Sequence, residues 1–166
     1  LLILTAARSG ELRGMCWPEV DLKRKIWTIP AERMKAKQAH RIPLADRAVE
    51  ILKQQLGVHD HLVFPSPRAQ AELSDMVLTA FLRRVKAKSD SPGRVATAHG
   101  FRSSFRDWCS EQGHARDIAE RALAHSVANK VEAAYHRTDL LEQRRPVMQE
   151  WADFCTGRRR KRPARS

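Results

Sequence analysis

The sequence is short of acids and disulfide-forming cysteines and has no long apolar run, and each shortage removes a class of protein. Cys16, Cys109 and Cys155 are odd in number and far apart, which excludes a disulfide framework and a zinc site. Cys109 and Cys155 fall at apolar positions of helical patterns, so buried free thiols in a reducing cytoplasm are expected. No apolar run approaches the length of a bilayer span. The opening Leu1-Leu2-Ile3-Leu4 is short and lacks the preceding basic segment of a signal peptide, so no membrane association is expected. It reads as the buried end of a helix whose earlier turns are missing. With no initiator Met, the chain is expected to be a piece of a longer protein. Glu19 and Asp21 are the only two acids spaced two apart. A metal nuclease needs several convergent carboxylates, so neither a catalytic metal nor another cofactor is expected.

What is present in excess is positive charge. Lys and Arg number 31 against 19 acids, a net charge of +12. Six of those cations lie in the last ten residues, which carry no acid; taking them from +12 leaves +6 on the remainder. A basic tail alone would be a nonspecific anchor, but a basic body argues for a polyanion-binding surface on the folded part. Apolar residues make up 42% of the 166, with Trp17, Trp27, Trp108 and Trp151 spread along the chain. That content supports one folded domain with a real core.

Local patterns divide the chain. Residues 1–8 read as a helix end, and Ser9 offers an N-cap to a short helix through about Met15. Ile26-Trp27-Thr28-Ile29-Pro30 and Arg41-Ile42-Pro43-Leu44 are short β-branched segments that predict a small antiparallel sheet, joined by a basic connection over residues 32–40. Residues 46–55 read as a helix with Val49, Leu52 and Leu56 apolar, and Val63-Phe64-Pro65 as a brief extended stretch. Ser74 is placed to cap a helix carrying Val77, Leu78, Phe81, Leu82 and Val85 at helical spacing. A loop over 89–93 precedes a helix striped by Phe101, Phe105, Trp108 and Cys109 that ends near Gly113; that stripe is read as core. Further helices are expected at 115–124, 129–136 and 139–155. The expected architecture is α+β, mostly helical, with a small antiparallel sheet near the N-terminus. Residues 1–156 form the domain and 157–166 a basic, disordered tail.

Chemistry-bearing residues recur in five boxes. Arg8-Ser9-Gly10-Glu11 lies near the N-terminus, and Lys35 and Lys37 lie between the predicted strands. His99-Gly100-Phe101-Arg102 sets two side chains on one face at a helix start. Leu123-Ala124-His125-Ser126 stands ten residues before Tyr135, the sole tyrosine. Two arginines, two histidines and a tyrosine in this order resemble the tyrosine recombinases, also called phage integrases. The resemblance runs from about residue 1 to about 155. Glu32-Arg33-Met34-Lys35, Ile42-Pro43-Leu44 and Arg144-Arg145…Met148…Trp151-Ala152-Asp153 are especially similar to integrases of temperate phages and genomic islands.

The resemblance implies the tyrosine-recombinase catalytic-domain fold and a site-specific recombinase that cleaves and rejoins double-stranded DNA without ATP or metal. Tyr135 would be the nucleophile, Arg8 and Arg102 the phosphate clamp, and His99 and His125 hydrogen-bond or proton-transfer partners of the phosphate. A lysine of the hairpin would protonate the leaving oxygen. The family's lysine usually stands eight residues before the proline ending the next strand, which gives Lys35, with Lys37 as the alternative. The chemistry asks for these residue types independently. A phenol conserves the phosphodiester bond in a covalent intermediate, and guanidinium forks match the charge spread over nonbridging oxygens.

Glu11 would orient Arg8 or cap a helix. Lys37, Arg41, Arg144 and Arg145 are candidate DNA contacts, Arg144 and Arg145 alternatively a partner-facing pair or a solvated helix face. The family implies a tetramer on DNA, a monomeric isolated domain, accessory DNA-bending proteins, and an N-terminal DNA-gripping domain that this sequence lacks. Residues 139–155 would dock on a neighbour or pack in cis. The polar run 126–130 predicts a mobile segment over 126–138. His59-Asp60-His61 reads as solvated loop and His136 as surface. A noncatalytic DNA-binding prophage remnant and a type IB topoisomerase-like enzyme are the competing readings.

Overall fold

The computed structural model describes residues 1–68, 70–125 and 138–158. Tyr135, His136, the expected helix at 129–136, most of the expected mobile segment and the tail beyond Arg158 lie outside them.

Two short helices, α1 (Leu2–Thr5) and α2 (Ser9–Arg13), come first. Strands β1 (Val20–Asp21), β2 (Ile26–Ile29) and β3 (His40–Pro43) follow. They form one antiparallel sheet in the order β1-β2-β3, with Trp27 opposite both Val20 and Ile42, and Ile29 opposite His40. Ile26, Trp27 and Ile29 are all buried, so this strand is covered on both faces, which its unbroken β-branched and aromatic run allows. Trp27 is buried without an orphaned donor because its indole Nε1 donates to Glu19 Oε2 at 2.9 Å.

Helix α3 (Asp46–Lys53) buries Ala48, Val49 and Leu52 and ends before Leu56, which is exposed. Helix α4 (Val77–Arg84) begins later than its serine suggested. Ser74 contributes its carbonyl, not its hydroxyl, to the Val77 N–H. Of its apolar face only Leu82 is buried, while Phe81 and Val85 stand about half exposed. Helix α5 (Gly100–Glu111) carries the expected stripe, with Phe105, Trp108 and Cys109 buried and Phe101 partly so. Helix α6 (Arg116–Ala122) and helix α7 (Leu141–Thr156) complete the described elements.

Among the described residues, two clusters make the core. The first joins α1, α2, the sheet and α3 through Leu4, Trp27, Ile42 and Leu52. The second joins α5, α6 and α7 through Phe105, Leu123, Met148 and Trp151. Helix α7 serves both, since Ala152 belongs to the first and Trp151 to the second. The Trp151 indole also donates to the Ile3 carbonyl at 2.7 Å. Helix α7 therefore packs against its own chain's core in this structure. Cys109 is buried, but Cys155, in the last turn of α7, is exposed, correcting the expectation of a buried thiol there. All three cysteines are free. No helix among the described residues is long and apolar enough to cross a membrane.

Candidate functional site

The site is built where α2, the β2–β3 connection, the start of α5 and the end of α6 converge. Arg8 is the N-cap of α2, in extended backbone, where Ser9 was expected. The reason is Glu11: its Oε2 accepts the Arg8 backbone N–H at 2.7 Å, satisfying a donor that the first turn leaves free. Its other oxygen accepts from Arg8 Nη1 at 2.8 Å. Both roles expected of Glu11, orienting Arg8 and capping the helix, are thus filled by one buried carboxylate.

Arg102 projects from the first turn of α5 and is only 5% exposed. Nη1 donates to the Ala6 carbonyl at 2.5 Å and Nη2 to the Leu123 carbonyl at 2.6 Å. Those carbonyls end the segments leading to Arg8 and His125, so Arg102 ties both loops to α5 with two of its five N–H donors. Burial pushes its guanidinium below the usual arginine range, the nearby Arg8 charge pushes the same way, and Glu11 opposes them. Glu11 is thus paired with Arg8 and acts on Arg102 through its charge alone, one carboxylate near two guanidinium groups.

His125 follows Ala124, whose positive φ of 48° turns the chain out of α6. Its backbone N–H returns to the Glu120 carbonyl at 3.0 Å. Its Nδ1 lies 2.5 Å from Glu120 Oε2, so the carboxylate marks Nδ1 as the donor side and turns Nε2 away from α6. His99 is the exposed N-cap residue of α5, just before the Gly100 N–H that donates to Thr97 Oγ1 at 2.9 Å.

Lys35 and Lys37 are both exposed. Lys35 directly follows Met34, which is buried in the first core cluster, and Arg33, whose Nη2 donates to the Glu11 carbonyl at 2.6 Å. Arg33 also pairs with Glu19. Lys37 sits in a left-handed backbone conformation with φ 54°.

Two residues with placements the sequence reading missed border the site. His40 is buried at the head of β3, with Nε2 3.3 Å from the Ala122 carbonyl. Burial drives its pKa down to about 4, helped by the charge of Arg144 and opposed by Glu11, so the ring is neutral near pH 7. Its alternation with buried Ile42 along the strand was the available signal. Arg33 was visible only as part of a motif.

The expected DNA contacts divide. Arg144 is 1% exposed, and its Nη1 donates to the Arg41 carbonyl at 2.8 Å, so it is an interior residue and not a surface one. It shares its helix face with buried Val147, Met148 and Trp151, a spacing that places position 144 inward. Arg41 is partly exposed but engaged by Asp139 on both oxygens. Arg145 lies at the surface, bonded to Glu142 at 2.9 Å and to the Arg24 carbonyl at 3.1 Å. His59 Nδ1 accepts the backbone N–H groups of His61 and Leu62, each at 3.0 Å, so this His-Asp-His run is a self-bonded turn.

The profile of the Phage integrase family matches residues 1–141, most of the chain. The chain belongs to that family. Among its relatives, the prophage integrase IntA of Escherichia coli (strain K12) is 38% identical over 155 residues, covering 92% of this chain and 36% of that protein. The integrase of Enterobacteria phage P4 is 36% identical over 178 aligned positions, covering 97% of this chain and 40% of its own length. The chain thus spans well under half of these integrases. The crystal structure of XerA recombinase superposes with a TM-score of 0.64 at 19% identity, covering 96% of this chain and 56% of that one. At that identity the match shows the fold alone, the tyrosine-recombinase catalytic-domain fold, mostly helical with a small three-stranded sheet. The chain carries Arg8, Lys35, His99, Arg102 and His125 on that framework.

Proposed function

We propose that residues 1–156 are the catalytic domain of a site-specific DNA recombinase that works through a covalent 3′-phosphotyrosine at Tyr135. The observation that carries this reading is the nearness of two guanidinium groups, Arg8 ion-paired to Glu11 and Arg102 held by the Ala6 and Leu123 carbonyls. Such a pair is an anion site, and a phosphodiester's nonbridging oxygens match its donor geometry.

The Tyr135 phenol oxygen attacks the phosphorus and the bond to the 5′ oxygen breaks. Lys35 supplies the leaving oxygen's proton, with Lys37 as the nearby alternative. Arg8 and Arg102 stabilise the charge that grows on the nonbridging oxygens, each worth about 10²–10³ in rate by analogy with other oxyanion donors. His125 donates from Nε2, the face that Glu120 leaves free, and His99 from the opposite helix start assists as hydrogen-bond partner or base. Return attack by a 5′ hydroxyl reverses every step, so strands exchange without net hydrolysis and without a nucleotide or metal.

In a protein of these relatives' length, a DNA-gripping domain would close the clamp and four subunits would assemble on two duplexes, aided by bending proteins. Phosphate contacts from Lys37 and the basic residues 158–166 would hold duplex DNA with little sequence discrimination. The test is Tyr135→Phe on a nicked duplex that traps cleavage: covalent capture is lost and noncovalent binding is retained. An adduct formed by the Phe variant would refute the assignment. Relaxation of supercoils without partner DNA would favour the topoisomerase-like alternative.

A further inference from the structure

Strand β3 and helix α7 meet at an ionic junction for which the cleavage chemistry has no use. Arg41 Nε donates to Asp139 Oδ2 and Nη2 to Oδ1, each at 2.7 Å. Arg144 approaches the same carboxylate from inside, with Nη2 3.3 Å from Oδ2, while its Nη1 bonds the Arg41 carbonyl at 2.8 Å. Asp139 Oδ1 also accepts the Leu141 N–H at 3.3 Å, at the start of α7. One residue earlier, the Thr138 carbonyl accepts from Arg121 of α6. Residues 138–139 are thus held by three arginines from three different elements.

A fold seeking only stability would not build this. Arg144 keeps Nε and Nη2 buried without a hydrogen-bond partner, and a buried ion pair is commonly matched or surpassed by well-packed apolar residues. What such a network does supply is registry. Asp139 follows Tyr135 by four residues, which reach at most about 14 Å. Arg41 lies on the strand that leaves Lys35 and Lys37, and Arg121 precedes His125 by four residues. Three stretches bearing candidate catalytic groups therefore share one junction.

We propose that the Arg41–Asp139–Arg144 junction is a positioning device that fixes the chain following Tyr135 against the lysine-bearing connection and the His125 turn. It rests on the reading of Tyr135 as nucleophile. Arg41 and Asp139 act through the backbone they hold and touch neither DNA nor the reacting atoms.

Because Tyr135 is the single tyrosine, 3-fluorotyrosine labelling gives one fluorine resonance that reports this ring alone. The parent chain, Arg41→Ala and Asp139→Ala would be compared by that resonance, by single-turnover adduct formation on a nicked duplex, and by noncovalent binding across salt. Arg41→Ala is the variant that keeps the fold, since Asp139 still faces Arg144; Asp139→Ala leaves Arg144 uncompensated and is checked by its melting curve. The expected result is a moved or broadened resonance in Arg41→Ala. Adduct formation then slows by about 10- to 100-fold, as misplacing a reacting group by about 1 Å does, with binding changed by less than about twofold. An unchanged resonance overturns the proposal whatever the cleavage rate. If the resonance is unchanged and binding weakens with a salt slope lower by about one, Arg41 is a phosphate contact instead. A parent protein that forms no adduct even on its cognate site removes the nucleophile reading separately, and the ring signal alone then decides the positioning.

Discussion

Glu11 holds Arg8 at both ends, one carboxylate oxygen on its backbone N–H at 2.7 Å and the other on its guanidinium at 2.8 Å. The same carboxylate offsets the charges of Arg8 and Arg102, so it would set both the direction and the electrostatics of the proposed phosphate clamp. Glu11→Gln keeps the size and removes that charge. Single-turnover adduct formation is expected to slow by about 10- to 100-fold with noncovalent DNA binding little changed, since loss of orientation acts on the transition state. A Gln variant cleaving at the parent rate would show that Arg8 needs no such support.

Arg102 has a structural duty separable from catalysis. Its bonds to the Ala6 and Leu123 carbonyls are charge-assisted, worth roughly 1.5–3 kcal/mol each. Arg102→Lys cannot span both carbonyls, so urea unfolding without DNA is expected to show a loss of about 2–4 kcal/mol. A variant as stable as the parent would mean these bonds are exchanged for water at no cost.

His40 makes stability depend on pH in a defined window. Its pKa falls from 6.5 in the unfolded chain to about 4 in the fold, so the unfolded state binds the extra proton between those values. The contribution is complete above about pH 6.5 and is lost as pH falls toward 4, by at most about 3 kcal/mol. Unfolding midpoints of the parent and His40→Gln, compared at pH 7 and 4.5, should converge or cross at the lower pH. Parallel curves would show that the His40 ring protonates freely in the fold.

The proton donor can be assigned by changing the leaving atom. Replacing the bridging 5′ oxygen by sulfur makes a leaving group that needs no proton. Lys35→Ala should cleave the ordinary nicked duplex slowly and the sulfur-containing duplex at nearly the parent rate. Rescue of Lys37→Ala in place of Lys35→Ala would move the role to Lys37.

Much of this arrangement was legible because it is written in local periodicity. The β-branched runs at 26–29 and 41–44 announced the sheet, and Phe105, Trp108 and Cys109 announced the buried face of α5. Other features depend on contacts between distant segments. Arg144 reads as half of a charged pair until its spacing from Met148 and Trp151 is set against the packed face of α7. Ser9 and Ser74 have capping chemistry, but Glu11 reached the Arg8 N–H first and the Val77 N–H took a backbone carbonyl. On α4 the spacing found an apolar face, but periodicity says nothing about what covers it, and Phe81 and Val85 remain exposed. The site's order of arginines, histidines and lysines was readable from the sequence, whereas its support by Arg33, His40 and Glu120 emerges only with the chain folded.

The central claim is that Tyr135 becomes covalently joined to DNA. The most direct measurement incubates the chain, and the full-length protein beside it, with a labelled nicked duplex, and maps any denaturation-resistant adduct by mass spectrometry. The account predicts one modified peptide, carrying a 3′-phosphate linkage on Tyr135, lost in Tyr135→Phe. An adduct on another residue, or none from the full-length protein on its cognate site, would contradict it.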